Sequence, residues 1–508
     1  MLSIPVVLAA AYVAVLVVRF PDLIRWISGD ADYASAFILP QAIAHGHTGQ
    51  VVLSTQGAWL SLWYGLATAG LSFHRVLWEL SPALLALASA CVIGWATARV
   101  ATRTAGVLAT ALIVAASPVA LASFTSPWAH NTTMLGAALL GGFLVWLHTT
   151  DRRPAVIAAI ATLLSLVIGT CLASDALLWT EGLIPCLVVL LLLALIGSDR
   201  RRLYAMAGVA AGSFLVATVT SSVMRSLGFV TAPPPLQIDF SRIGVHLWWL
   251  VRGLLRLGNG ATIAPQASLR LPLTLAAAVV TICALCATLR FAAGRITNPG
   301  VGRERARTVH ALFWSTSLLC TACAYVLTAE VPSDQYIVVA VLAVSATLPL
   351  LASSRRGSRL VAAGAAVFIA AGIVALAAGD SRYVNPRAIT PSQTSRIEAV
   401  VLERHLGIGY AGYWDAAPLD WFSHGRLRVY PLTEVPGHTE PMGIARIAAW
   451  YRPLPDTPSY LLLAPDDNVL PDRVPSDLPT PAHEYRVGQF TLATYPYDIA
   501  ADLHAPVN

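Results

Sequence analysis

Apolar stretches of about 18 residues or more, separated by short polar turns, recur from the first residues to about position 378. Each is long enough to cross a hydrocarbon core of about 30 Å at about 1.5 Å of rise per residue. They fall at Ser3–Val18, Val76–Ala98, Ala105–Ala122, Thr132–Leu147, Ala155–Ala173, Ala176–Ile196, Leu203–Val223, Leu271–Leu289, His310–Thr328, Gln335–Ala352 and Leu360–Ala378. The pattern predicts an all-α polytopic membrane domain of about 11 transmembrane helices over residues 1–378. The first stretch has neither a basic leader nor a small-residue cleavage site before Phe20, so it is expected to be a retained span.

From about Asp380 the hydropathy collapses. A helix is expected from Pro391, followed by strands at Gly409–Tyr413, Arg428–Leu432, Tyr460–Leu463 and Arg486–Tyr495. Residues 379–508 therefore read as a small α/β domain of about 130 residues, a normal domain size. Gly407-Ile408-Gly409 lacks the leading strand and third glycine of a dinucleotide fingerprint and reads as a tight turn.

The turns alternate in charge. Arg99 and Arg103, Arg152 and Arg153, Arg200 to Arg202, Arg290 to Arg307, and Arg355, Arg356 and Arg359 occupy every second connection, which assigns those connections to the cytoplasm. The intervening loops and, with an odd number of spans, the C-terminal domain are then external, in the cell membrane of a multi-pass protein. Two external loops are long, 19–75 and 224–270, and both are rich in Trp and apolar residues. In the second, Pro233-Pro234-Pro235 sets an extended entry, Asp239 can cap a helix and Gly258-Asn259-Gly260 can end it. Arg242, His246, Trp249, Arg252 and Arg256 recur at helical spacing between them, the pattern of an interfacial amphipathic helix.

Composition sharpens the picture. The 508 residues are 56% hydrophobic and 12% charged, with mean hydropathy +0.66, against about 25% charged in soluble domains. All 33 basic residues are Arg, which suggests a GC-rich bacterial genome. The +6 charge does not indicate nucleic-acid binding, because the Arg residues sit in loops between spans. The seven cysteines lie in or beside apolar spans; the i,i+3 pairs Cys283/Cys286 and Cys320/Cys323 read as helix-packing residues, and no residue set is assigned to a metal.

No P-loop, G-x-S-x-G or H-E-x-x-H motif is present, so candidate chemistry is positional. Gly29-Asp30-Ala31-Asp32-Tyr33 places two carboxylates shortly after the first span. Close carboxylates beside an apolar surface raise one another's pKa, which suits a general base, while either can also cap a helix beginning near Tyr33.

A first span followed by a long external loop with an early acidic motif resembles the GT-C glycosyltransferases, including protein O-mannosyltransferases, aminoarabinose transferases and arabinofuranosyltransferases. The likeness covers the plan from Met1 to about Ala378. It implies a polyprenyl-phosphate-linked sugar donor, an envelope glycan, glycolipid or protein acceptor, and Asp30 or Asp32 as the catalytic base. A second acidic motif of that class corresponds to Ser126-Pro127-Trp128-Ala129-His130-Asn131-Thr132, which carries no carboxylate and leaves His130 as a phosphate or sugar contact, or the stretch as an interfacial cap and anchor. Asn131-Thr132-Thr133 also fits a glycosylation sequon, uncomfortably close to a span. A leaving lipid phosphate calls for fixed cations. Arg252 and Arg256 are assigned to it first, with Arg242 and His130, against the alternative that these Arg residues anchor the helix to lipid headgroups. His74, Arg75, Asp175 and Asp334 are assigned to substrate binding, against the alternative that Asp175 and Asp334, like Glu181, cap the helix ends at which they lie. A divalent metal stays open as a cofactor.

Two rivals follow from the same residues. A secondary transporter or flippase would use Asp175, Glu181 and Pro185 in the sixth span. A non-catalytic envelope-assembly subunit would keep the topology while making Asp30 and Asp32 dispensable. In the C-terminal domain, Tyr410, Tyr413, Trp414 and Asp415 read as a packed aromatic set or as a glycan-stacking surface.

Overall fold

The computed structural model describes residues 3–504 except 28, 48, 54–58, 72–73, 127–129, 196–198, 232–237, 261–270, 297–299, 329–332, 380–388, 466–468 and 471. Pro233–Pro235, Pro127–Ala129, Glu330 and the His74 side chain fall outside them. A chain without water around it must pair its backbone N–H and C=O groups internally, and helices do so within one segment. Along the chain come α1 (Ser3–Ile27), α2 (Ala31–Ala44), β1 (Val51–Leu53), α3 (Trp59–Thr68), α4 (His74–Val100), α5 (Arg103–Val114), α6 (Pro118–Thr125), α7 (His130–Thr149) and α8 (Pro154–Ser174). There follow α9 (Ile184–Leu195), entered through a π-helical turn at Trp179–Leu183, then α10 (Arg200–Ser226), β2 (Phe229–Thr231), α11 (Ile243–Leu257), α12 (Leu271–Ile296) and α13 (Arg303–Leu327). Last come α14 (Val339–Thr347), flanked by 3-10 turns, and α15 (Arg355–Ala377).

Among the described residues nine helices are long and apolar enough to cross a membrane. The two other predicted spans take different forms. Ala105–Ala122 is broken: α5 and α6 meet at 86°, because Ser117 caps a new helix by accepting the Ala120 N–H at 3.2 Å, with Pro118 in its first turn. Ala176–Ile196 is the shorter apolar helix Trp179–Leu195. The inner helices α7 and α13 have 78% and 67% of their apolar windows buried, against 17% for α1 and α12, so the former form the core and the latter its lipid-facing rim. Helices α4 and α5 cross closely at Gly94 and Gly106, where a Cβ on Gly94 would stand 2.0 Å from Thr110 Oγ1.

The Arg-rich connections gather at one end of the bundle. Arg303 donates to the carbonyls of Arg99 and Ala101, Arg307 to that of Leu350, and Arg202 lies 3.6 Å from Asp151. At the opposite end sits the C-terminal unit: α16 (Pro391–Glu403), β3 (Ile408–Gly412), α17 (Tyr413–Phe422), β4 (Val429–Val435), β5 (His438–Pro441), β6 (Arg446–Ile447), β7 (Ser459–Leu463), β8 (His483–Val487) and β9 (Phe490–Tyr495). The six-stranded sheet has order β5-β4-β3-β7-β9-β8, with β3 parallel to β4 and β7 and the remaining pairs antiparallel. Gly407-Ile408-Gly409 is the entry to β3 rather than a turn, and Gly409 leaves room for the Tyr460 ring, 2.3 Å from where a Cβ would stand.

Side chains on β3 and β7 alternate between two cores. Ala411 and Leu462 pack against Ile397 and Val401 of α16 and Leu419 of α17, whereas Tyr410 and Leu461 face a core shared with Ala31, Leu39, Val51 and Trp59 of the segment after α1. That segment is also tied in by hydrogen bonding: β1 pairs parallel with β2 and antiparallel with β6, with Val51 opposite Phe229 and Ile447. Both predicted long loops and the C-terminal unit thus share one small sheet.

Candidate active site

Asp30 is the N-cap of α2, in extended conformation, and its Oδ1 accepts the Asp32 N–H at 2.9 Å. A carboxylate is favoured here by the partial positive charge of a helix N-terminus. Both Asp30 and Asp32 line a cavity of about 260 Å³. Its other walls are Trp26 and Ile27 of α1, Val119, Ala122 and Ser123 of α6, Ser126, Trp249 and Arg256 of α11, and Ser333, Asp334 and Gln335 before α14. The break between α5 and α6 has a consequence here, since it turns α6 across the bundle to form one wall.

Asp32 is half-buried and accepts a hydrogen bond from the Tyr413 hydroxyl of α17. Burial pushes its carboxyl above the ordinary carboxylate value, while the Tyr413 bond and the nearby His130 ring work against that rise. Tyr413 is 2% exposed, and burial together with the Asp32 charge raises its phenol well above the usual value, so it remains a donor.

Arg256 reaches Asp334 across the cavity at 2.7 Å, with side-chain exposures of 18% and 15%. Gly253, one turn earlier on α11, permits this approach: a Cβ there would stand 2.8 Å from Asp334 Oδ1 and 2.6 Å from Ile337 Cδ1. Arg252 is exposed, its guanidinium 5.0 Å from the Trp249 ring. The helix is amphipathic as expected, capped by Asp239 through a short 3-10 turn and stopped at Gly258. Arg242 is separate from the cavity; it is 59% exposed and paired with Asp239 at 3.3 Å.

Three other predicted positions also lie elsewhere. Asp175 is 1% exposed and its carboxylate is fully occupied, Oδ2 accepting from Thr133 at 2.6 Å and facing His130 Nδ1 at 2.7 Å, and Oδ1 accepting the Leu177 N–H at 3.0 Å. It is therefore a buried partner of His130 rather than an open sugar contact. His130, 4% exposed, has its ring 5.4 Å from that of Tyr336 and is not among the residues that line the cavity. Arg75 belongs to the junction with the C-terminal unit, stacked 3.8 Å over Trp421, 2.6 Å from His424 Nδ1 and 3.4 Å from Glu79.

The sequon at Asn131 is buried, the Asn131 amide donating to the carbonyls of Ser123 and Phe124 at 3.2 and 2.8 Å, so it is no acceptor for a glycan in this fold. Tyr410 is fully buried and donates to Asp498 at 2.7 Å, which makes the aromatic set of the C-terminal unit mainly core. Sequence reasoning missed Tyr413 as a neighbour of Asp32, and Trp26, Ser123 and Gln335 as cavity walls. The Tyr413-Trp414-Asp415 cluster was the one signal, and 381 residues separate Tyr413 from Asp32 in sequence. Among the described residues no three His, Cys, Asp or Glu side chains form a metal-binding group.

The helical membrane bundle, with an acidic segment after its first span, a polar cavity at one end and a small α/β unit packed over it, is GT-C-like in fold. Among solved structures it is similar to ArnT, the aminoarabinose transferase, from Cupriavidus metallidurans in the apo state, with TM-score 0.56 and 13% identity over 98% of this chain and 100% of that one. It is also similar to the apo oligosaccharyltransferase of Archaeoglobus fulgidus, with TM-score 0.51 and 13% identity over 84% of this chain and 64% of that one. ArnT bound to undecaprenyl phosphate aligns at TM-score 0.49 and 12% identity over 96% and 97% of the two chains. No family model matches the chain, and no curated protein matches it.

Proposed function

We propose that this chain is a membrane glycosyltransferase that moves a sugar from a polyprenyl-phosphate-linked donor to a hydroxyl of an envelope glycan, glycolipid or protein on the outer face of the membrane. The observation that carries the reading is the polar cavity at the bundle end, in which Asp30 and Asp32 share one chamber with Arg256 and Asp334. In this reading Asp32 takes the proton of the acceptor hydroxyl as its oxygen bonds to the anomeric carbon. The bond from that carbon to the phosphate oxygen breaks, and the lipid phosphate leaves with the electron pair. Asp30 holds the start of α2 and contacts the sugar.

Arg256, oriented by Asp334, meets the charge that develops on the departing phosphate. Arg252, one turn earlier and stacked beside the cavity residue Trp249, receives the phosphate at the rim. On the neighbouring side of α11, Leu254 and Leu257 open on an apolar pocket lined also by Val280, Ala284 and Leu285, a surface suited to a prenyl chain.

The Arg256→Gln protein, reconstituted with a polyprenyl-phosphate sugar that the wild type uses, is expected to lose about 10² in turnover, as for removal of one electrostatic stabiliser. Unchanged turnover in that variant would remove Arg256 from the mechanism. Coupled, ion-driven uptake of a solute by the wild type without any sugar transfer would replace the enzyme reading by a transporter.

A further inference from the structure

The cavity residues Asp30 and Asp32 belong to the segment after α1, but the hydroxyl that holds Asp32 comes from the far end of the chain. Tyr413 is the first residue of α17, reached directly from β3, and its ring is buried between α2 and Trp414, whose ring is 5.1 Å away. Its hydroxyl donates to Asp32 Oδ1. The placement is enforced on several sides. Trp421, two turns along α17, packs edge-on against Tyr33 and Phe37 of α2 at 5.4 and 4.7 Å, and β6 pairs with β1 beyond the end of α2.

We propose that Tyr413 is a positioning residue for the reaction, so that the C-terminal unit supplies part of the active site by fixing the orientation and proton affinity of Asp32. The proposal rests on the glycosyltransferase reading for its consequence in turnover, but the contact itself does not. A carboxylate that accepts a phenol O–H keeps one oxygen engaged, which leaves Oδ2 as the atom available to an acceptor hydroxyl. The same bond favours the ionised form and offsets part of the rise caused by burial. The other ionisable groups around Asp32 are Asp30 at the start of its own helix, Arg256 and Asp334 on the cavity walls, and His130 of α7. Removing the Tyr413 hydroxyl leaves all of these in place, so the effect of its loss has one sign: Asp32 must bind its proton more tightly.

The test uses the full-length protein with Tyr413→Phe, and reads the protonation of Asp32 directly by carbodiimide labelling of its carboxyl against pH, quantified by peptide mass spectrometry. The labelling midpoint is expected to move to higher pH in Tyr413→Phe. With a transferred sugar as the second readout, kcat falls by about tenfold, the acid limb of its pH profile moves up with the labelling midpoint, and KM for the donor stays near wild type. Tyr410→Phe removes another buried hydroxyl of the same sheet, the one bonded to Asp498, and is expected to move neither midpoint nor limb. A midpoint unchanged in Tyr413→Phe overturns the proposal whatever the turnover. A shifted midpoint in a protein that transfers no sugar retains the contact and discards the glycosyltransferase reading instead. Should Tyr413→Phe not fold, 4-aminophenylalanine at position 413, a weaker donor of the same shape, must still raise the midpoint.

Discussion

Asp30 and Asp32 differ in task although they are two residues apart. The first is committed to the backbone of α2, and the second turns its side chain to the cavity and to Tyr413. Both were singled out in the sequence as an acidic pair shortly after a span, where either could also cap a helix, and both line the cavity. Tyr413 was not, since no local pattern announces a contact made across the whole chain. The same limit applies to Asp175: its position at a helix end was readable, but its burial by His130 and Thr133 depends on packing. A further carboxyl, Asp420 of α17, has its pKa pushed up to about 7 by burial, with Arg428 pulling the other way. Its folded value lies above the unfolded value of about 3.9, so the folded protein binds this proton more tightly. The contribution is therefore fully present below about pH 4 and is lost as pH rises to about 7. Melting of Asp420→Asn, followed by tryptophan fluorescence, is expected to lack that decline between pH 4 and 7.

At the scale of elements, hydropathy located nine of the membrane-spanning helices, because a helix pairs all its backbone polar groups within one apolar segment. It did not show the right-angled break at Ser117 and Pro118, which is set by a cap and lies within continuous apolar sequence. That break matters because α6 walls the cavity, and Asn131 holds its end by donating to the carbonyls of Ser123 and Phe124. Asn131→Ala strands both acceptors in a buried setting, at a cost of about 1–3 kcal/mol. A lower melting temperature is expected together with weaker donor binding, and full wild-type affinity in that variant would show that α6 needs no such tie. The helix over Ile243–Leu257 was readable from its spacing of Arg and Trp, yet only packing separates Arg256, inside the cavity, from Arg242, outside it.

The whole molecule joins two distant parts of the chain over one cavity. The segment after α1 provides the carboxylates, and the C-terminal unit covers it through the shared sheet of β2, β1 and β6 and through α17 against α2. The division of residues 1–378 from 379–508 follows the hydropathy, but the packing crosses it, so in our reading the C-terminal unit is part of the working enzyme. The Arg-rich connections gather at the opposite end, and in our reading, by the positive-inside rule, the cavity then lies outside the cytoplasm. The most direct measurement is transfer of radiolabelled sugar from a polyprenyl-phosphate donor in proteoliposomes, wild type against Asp32→Asn. Transfer by the wild type and a fall of about 10² or more in the variant, with its fold intact, are the predicted results. Transfer by Asp32→Asn at the wild-type rate would contradict the account.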